Sequence, residues 1–126
     1  MDSIKRNGRY GLQNKYTVTI ISQRKAKTMD NTLFDLGQII ITDKADLVLQ
    51  RHRMNGLELL DRHTVGDWGD ISEADKQAND KALRNGGPLL SAYFLPDESK
   101  VFIVTDAEVD DQHHRKATTV LLPEEY

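Results

Sequence analysis

The stretch Arg62-His63-Thr64-Val65-Gly66-Asp67-Trp68-Gly69-Asp70 holds the only tryptophan of the chain, beside one histidine, two aspartates and two glycines. The leucines before it have helical spacing and predict a helix over residues 57–63, which ends within the stretch. Ser72 follows the stretch as the predicted cap of another helix. The pattern therefore predicts a glycine-shaped loop between two helices, with Trp68 as its anchor.

Outward from this stretch, hydrophobic periodicity predicts strands and helices on both sides. The continuous isoleucines of residues 37–42 indicate a central strand that is buried on both faces. Asp43 is the predicted cap of the following helix, and Gly86-Gly87-Pro88 ends the helix that Ser72 begins. Helices are predicted over residues 44–53, 57–63 and 73–85, and strands over residues 15–22, 37–42, 89–95, 100–105 and 116–122.

These elements predict an α+β fold: an antiparallel sheet of about four to five strands with two or three short helices packed on one face. The length of 126 residues is that of one domain, large enough to bury a core without a metal or a disulfide. The chain contains no cysteine, which excludes thiolate metal sites and cysteine nucleophiles and fits a reducing, cytoplasmic setting. Because no apolar run approaches the ~18 residues of a membrane span, no membrane contact is expected.

The charge of the chain is divided unevenly along its length. Residues 1–28 carry seven basic groups against one acidic group, a net charge of +6, whereas the remainder carries −9. We predict a flexible basic leader over residues 1–14 and a single domain over residues 15–126. The basic segment either contacts an anionic surface, such as nucleic acid or an acidic partner, or is a solvated tail. Its candidate binding residues are Lys5, Arg6, Arg9, Arg24, Lys25 and Lys27.

The central stretch offers a candidate site made of His63, Asp67, Trp68 and Asp70. One imidazole and two carboxylates suit a divalent metal or a general acid and base pair. The structural alternative is that the aspartates cap a helix, Trp68 fills the core and His63 bonds a carbonyl. The spacing matches no metal motif, so we assign no metal ligand, no catalytic residue and no cofactor.

Three other groups of residues contain side chains or glycines that occur in functional sites. The acidic run from Asp106 to Asp111, followed by His113 and His114, is interpreted as a solvated hairpin tip, because adjacent histidines on an extended chain point to opposite faces. Gly86-Gly87 lacks the lysine and the following helix of a phosphate-binding loop. Ser91 lies in no recognisable nucleophile context.

Several motifs together resemble a family of small, functionally uncharacterised bacterial proteins that are often borne by plasmids or phages. The motifs are Gly37-Gln38-Ile39, Arg62-His63 with Gly66-Asp67-Trp68-Gly69-Asp70, Leu89-Leu90-Ser91-Ala92-Tyr93, and Thr118-Thr119-Val120-Leu121-Leu122-Pro123-Glu124-Glu125-Tyr126. The likeness covers about residues 37–126, and the segment 106–115 is longer than the short turn of that family. The resemblance implies an α+β fold and a mobile-element setting, and it supplies no catalytic residue.

Three functional hypotheses follow from the sequence. The first is a non-catalytic interaction or regulatory protein of a mobile element, which modulates a host defence system by binding a protein or nucleic-acid component. The second is a small metal-dependent enzyme that acts on a nucleotide or nucleic acid through His63, Asp67 and Asp70. The third is a protein that sequesters a small ligand beside Trp68. The sequence favours a non-catalytic protein with a protein partner, and it leaves the oligomeric state open.

Overall fold

The structure is a computed structural model that describes residues 18–21 and 32–126. The strands are β1 (Val18–Ile21), β2 (Gln38–Thr42), β3 (Leu89–Phe94), β4 (Lys100–Thr105) and β5 (Ala117–Leu121). The helices are α1 (Asp43–Arg51), α2 (Gly56–Thr64) and α3 (Glu73–Asn85), and a 3₁₀ turn follows at Pro123–Glu125. The predicted α+β fold is confirmed. The predicted leader of residues 1–14 and the basic residues Arg24, Lys25 and Lys27 lie outside the described residues.

The five strands form one sheet in the order β1-β2-β5-β4-β3. Strand β2 runs parallel to β5, whereas the other three neighbouring pairs are antiparallel. The prediction of a purely antiparallel sheet is therefore wrong, and the sheet is mixed. The reason is that β5 lies between β4 and β2: it pairs antiparallel with β4, which precedes it in the chain, and parallel with β2 on its other side. This pairing joins distant parts of the chain, so no turn residue in the sequence specifies it.

The helices pack on one face of the sheet, as predicted. Alternation along β2 directs Ile39 and Ile41 towards them and Ile40 towards the opposite face. All three isoleucines are at most 7% exposed, which confirms the predicted burial on both faces. The main core cluster on the helical face consists of Ile39, Ile41, Ala45, Leu49, Leu59, Leu60, Tyr93, Leu95, Val101, Ile103, Val120 and Leu122.

Short side chains define the ends of the helices. The Thr42 hydroxyl accepts a hydrogen bond from the Ala45 amide at 3.1 Å, so Thr42 caps α1 and the predicted cap, Asp43, is the first helical residue. Ser72 caps α3 as predicted, because its hydroxyl accepts from the Asp75 amide at 3.0 Å. Gly86 ends α3 in the left-handed region at φ +85°. No helix among the described residues is long and apolar enough to cross a membrane.

Candidate functional site

The loop after α2 lies against the outer edge of β3. The Ala92 amide donates to the Trp68 carbonyl at 3.1 Å, and the Asp70 amide donates to the Ala92 carbonyl at 2.7 Å. Gly69 allows this approach, because its φ is +75° and a Cβ there would clash with the Ala92 carbonyl and the Tyr93 ring. The loop thus pairs with an edge strand that would otherwise present free backbone groups.

Helix α3 covers the neighbouring part of the same edge through one asparagine. The Asn79 side chain donates to the Leu90 carbonyl at 2.7 Å and accepts from the Leu90 amide at 3.0 Å. Asn79 is 3% exposed, so the side chain replaces a backbone partner inside the fold. Sequence analysis missed this role, because a single asparagine in a polar helix has no distinguishing pattern.

His63 lies at the centre of a buried chain of hydroxyl groups. Its Nδ1 is 2.6 Å from the Ser91 hydroxyl, and its Nε2 is 2.8 Å from the Thr105 hydroxyl. The Thr105 hydroxyl lies 2.8 Å from that of Thr118, which donates to the Leu36 carbonyl at 2.7 Å. The four side chains are each 0% exposed.

The last bond of this chain fixes the direction of the others. The only proton of the Thr118 hydroxyl goes to a carbonyl, so Thr118 must accept from Thr105. Thr105 must then accept from Nε2–H of His63, and Ser91 donates to Nδ1. We therefore assign the Nε2–H tautomer of a neutral His63 from the hydrogen-bond network.

Burial keeps the imidazole of His63 neutral. Desolvation lowers its pKa to about 3, and the positive charge of Arg115 acts in the same direction. The Phe34 and Trp68 rings lie edge-on to the imidazole at centroid distances of 5.1 and 5.6 Å, and Trp68 is 7% exposed. His63 is thus a packed, fully hydrogen-bonded core residue rather than a group open to a substrate.

The carboxylate of Asp67 lies at the surface beside Arg62. The Arg62 guanidinium donates to both Asp67 oxygens, at 2.7 and 3.3 Å, and its hydrogen bond lowers the pKa of Asp67. The guanidinium also lies 4.5 Å from the centre of the Tyr93 ring, and the Tyr93 hydroxyl donates to the Asp67 carbonyl at 2.7 Å. Burial raises the pKa of Tyr93 to about 12, so it remains a donor at neutral pH.

Asp70 points to solvent and pairs with Lys100 across 3.2 Å. The side chains of Asp67 and Asp70 are 47% and 53% exposed, whereas His63 is fully buried. The structure therefore places these three candidate binding residues in separate environments. Among residues 32–126 and 18–21, no three histidine or acidic side chains are grouped as a metal site would require.

The acidic hairpin tip contains two separate histidine–carboxylate pairs. His113 Nδ1 is 3.0 Å from Glu108, and His114 Nδ1 is 2.8 Å from Asp110. The hydrogen bond between His114 and Asp110 raises the pKa of the histidine and lowers that of the aspartate. The His114–Asp110 pair and the His113 ring are solvent-exposed, which agrees with the interpretation of a solvated tip, whereas Glu108 is only 20% exposed.

Arg115 is a second buried polar residue that sequence analysis missed. Its guanidinium donates through Nη1 to the Gly87 carbonyl at 2.7 Å and to the Asp106 carbonyl at 2.9 Å. Glu108 lies 3.5 Å from Nη2, and the Phe34 ring centre lies 5.7 Å from the guanidinium carbon. Arg115 therefore ties the end of α3 to the hairpin after β4. It also borders an open groove of about 410 Å³, together with Asp35, Gly37, Gln38, His114 and Lys116.

The sheet face opposite α1, α2 and α3 carries an exposed aromatic patch, which we define as Phe94, Phe102 and Tyr126. Phe94 is 53% exposed, Tyr126 is 66% exposed and Phe102 is partly exposed. The Phe102 and Tyr126 rings meet edge-to-face at 5.5 Å. Phe102 lies diagonally across from Phe94 in the β3–β4 ladder, because Phe94 pairs with Lys100. The exposure is confined to one side of this face, since Ile40 on β2 is 1% exposed.

The fold and this site define a small mixed-sheet α+β domain whose interior contains a histidine–hydroxyl chain and whose other sheet face carries an exposed aromatic patch on one side. The chain matches no protein-family model, no curated protein and no solved structure. The function is therefore argued from the geometry and the chemistry of the chain itself.

Proposed function

We propose that this chain is a non-catalytic interaction protein of a mobile element, and that it modulates a host defence system by binding a protein component. The observation that carries the proposal is the aromatic patch of Phe94, Phe102 and Tyr126. Aromatic side chains provide much of the energy of protein interfaces, and a grouped set of them in solvent is typical of an interaction site. Scattered single apolar residues would not carry this argument.

The contacts of the central stretch support a binding protein over an enzyme. Both ring nitrogens of His63 are engaged with buried hydroxyls, and the two aspartates are engaged with cations at the surface. A general base needs to reach a substrate proton within hydrogen-bond distance, and His63 has no exposed atom surface to offer. The stretch instead holds the edge of the sheet and the polar core.

The mobile-element setting is supported by the resemblance of several motifs to plasmid- and phage-borne proteins. A cytoplasmic location is part of the same proposal. The basic residues of positions 1–28 remain a separate prediction for a nucleic-acid contact, and they lie outside the described residues.

Quantitative affinity capture from a lysate of the native host tests the proposal. The wild-type chain is compared with the double variant Phe94→Ser/Tyr126→Ser and with the control Leu47→Ser. Leu47 is 59% exposed on α1, which packs on the other face of the sheet, so the control removes one exposed apolar side chain away from the patch. We expect one set of proteins to be enriched by the wild type and the control and lost from the double variant.

Equal recovery of the same proteins by all three chains would contradict the proposal that the sheet face binds. Circular dichroism and urea unfolding of each variant establish that the comparison is made between folded chains. Both patch substitutions are at exposed positions, for which changes in unfolding free energy are usually within about 0.5 kcal/mol.

A further inference from the structure

The aromatic patch has the chemistry of a cation-binding surface, and we propose that it docks a basic, arginine-rich segment of a protein partner. This inference rests on the proposed function, because it names the partner chemistry of the same sheet face. Three observations carry it: a cation already seated on one ring, acidic residues beside the rings, and the net charge of the domain.

The first observation is the contact between Lys100 and Phe94. The Lys100 ammonium lies 5.1 Å from the centre of the Phe94 ring, and it is also paired with Asp70 at 3.2 Å. This is the distance range in which the negative face of an aromatic ring attracts a cation. The patch therefore already holds one cation through a ring and a carboxylate. A guanidinium group of a partner must displace Lys100 from this ring, and it is better suited to the site because it is planar and weakly hydrated and stacks on rings.

The second observation is the charge beside the patch. The hairpin that joins Phe94 to Lys100 carries Glu98, and Glu124 precedes Tyr126 by two positions. Both carboxylates are exposed. A carboxylate can accept two hydrogen bonds from one guanidinium group, so these residues add to the attraction of an arginine side chain.

The third observation is the charge of residues 32–126, which contain ten lysines or arginines and eighteen aspartates or glutamates, a net charge of −8. Residues 1–31 carry seven basic and two acidic groups, so the full chain has a net charge of −3 and the negative charge is concentrated in residues 32–126. This field attracts a cationic partner from a distance and opposes the approach of a phosphate backbone. A nucleic acid would also stack on exposed aromatic rings, but it would need cations along its path, and the rim of this patch is mainly acidic. The charge therefore favours a basic protein segment over a nucleic acid on this face.

Fluorescence anisotropy with a labelled octa-arginine peptide tests the inference on the full chain. We expect saturable binding that weakens between low and physiological salt. Phe94→Leu and Tyr126→Leu keep apolar bulk and remove a ring, and each is expected to weaken binding by about two- to fivefold. Leu47→Gln on the opposite side is the matched control, and it is expected to leave the affinity unchanged.

Four outcomes would overturn the inference. The first is the absence of binding at about 1 mM peptide, the concentration range of very weak complexes. The second is equal binding by the wild type and both leucine variants. The third is tighter, Phe94-dependent binding of an oligothymidine, which would assign the face to nucleic acid. The fourth is a doubled mass in light scattering that Phe94→Ser abolishes, which would assign it to a second copy. In each case the host-capture comparison still reports separately on whether the face binds a partner.

Discussion

The buried imidazole of His63 makes the stability of this domain depend on pH in a defined window. The folded pKa of about 3 lies below the ordinary histidine value of about 6.5. Between these values the unfolded chain binds one more proton than the folded chain, so protonation favours unfolding and stability falls as the pH falls. The slope approaches about 1.4 kcal/mol per pH unit, and the loss between pH 7 and pH 5 is about 2 kcal/mol.

The other shifted groups act at lower pH or in the opposite direction. Burial raises the pKa of Asp106, so the folded chain binds a proton there more readily and this contribution to stability grows as the pH falls. The aspartates with lowered pKa values, Asp67, Asp97 and Asp110, lose stabilisation only at lower pH, as the pH approaches and falls below the unfolded value of about 3.9. The raised pKa of His114 acts in the opposite direction: its contribution is present at low pH and is lost as the pH rises through its folded value. A His114→Gln control should therefore retain the fall in stability.

Urea unfolding followed by Trp68 fluorescence measures the effect, because Trp68 is 7% exposed in the folded chain and becomes solvated on unfolding. A loss of about 2 kcal/mol lowers the urea midpoint by about 1 M for a domain of this size. The His63→Gln variant should be less stable at pH 7 and should lack this pH dependence. Should that variant not fold, NMR titration of the His63 ring in the wild type is an independent measurement. Unchanged or rising stability towards pH 5, or a His63 ring that titrates near pH 6.5, would refute the reasoning.

Three further substitutions test the structural roles around the edge of β3. Gly69→Ala should cost more than about 3 kcal/mol in unfolding free energy, because a Cβ would clash with the Ala92 carbonyl and the φ is positive; a near-neutral midpoint in urea would contradict the close backbone approach. Asn79→Ala should lower the unfolding free energy by about 2 kcal/mol, since both Leu90 backbone groups lose their partner. Light scattering should also show increased self-association, because the unpaired edge of β3 can pair with another chain. Asp67→Asn should cost less than about 1 kcal/mol in the same assay, because its ion pair is half exposed, and a larger loss would show that the pair contributes more than its solvent exposure allows.

Local sequence patterns were sufficient to predict most of the secondary structure of this chain. Ser72 and Gly86 predict the first and last residues of α3, and the structure confirms both ends. The isoleucine run predicts that β2 is buried on both faces, which is also confirmed. The parallel pairing of β2 with β5 was not predictable, because it depends on the path of the whole intervening chain. Thr42 was missed as a cap because it is also the last residue of β2, and the sequence does not distinguish a threonine that ends a strand from one that caps a helix.

The candidate site was only partly accessible to sequence reasoning. The sequence singles out Trp68 and His63, but the partners of His63 are 28 and 42 residues away, on two different strands. No spacing rule connects such residues, and a hydroxyl chain has no composition signature. The aromatic patch was missed for a similar reason, since Phe94 and Phe102 become diagonal neighbours, and Phe102 meets Tyr126, only in the folded sheet.

Site-specific photo-crosslinking in the native host tests the central claim that the aromatic patch is the binding surface. A benzophenone amino acid replaces Phe94 in one variant and Leu47 in the other, so that both carry the same probe at exposed positions on opposite sides of the sheet. The account predicts a discrete crosslinked protein adduct from position 94 and none of that mass from position 47. Adducts from position 47 alone, or the same adducts from both positions, would contradict it.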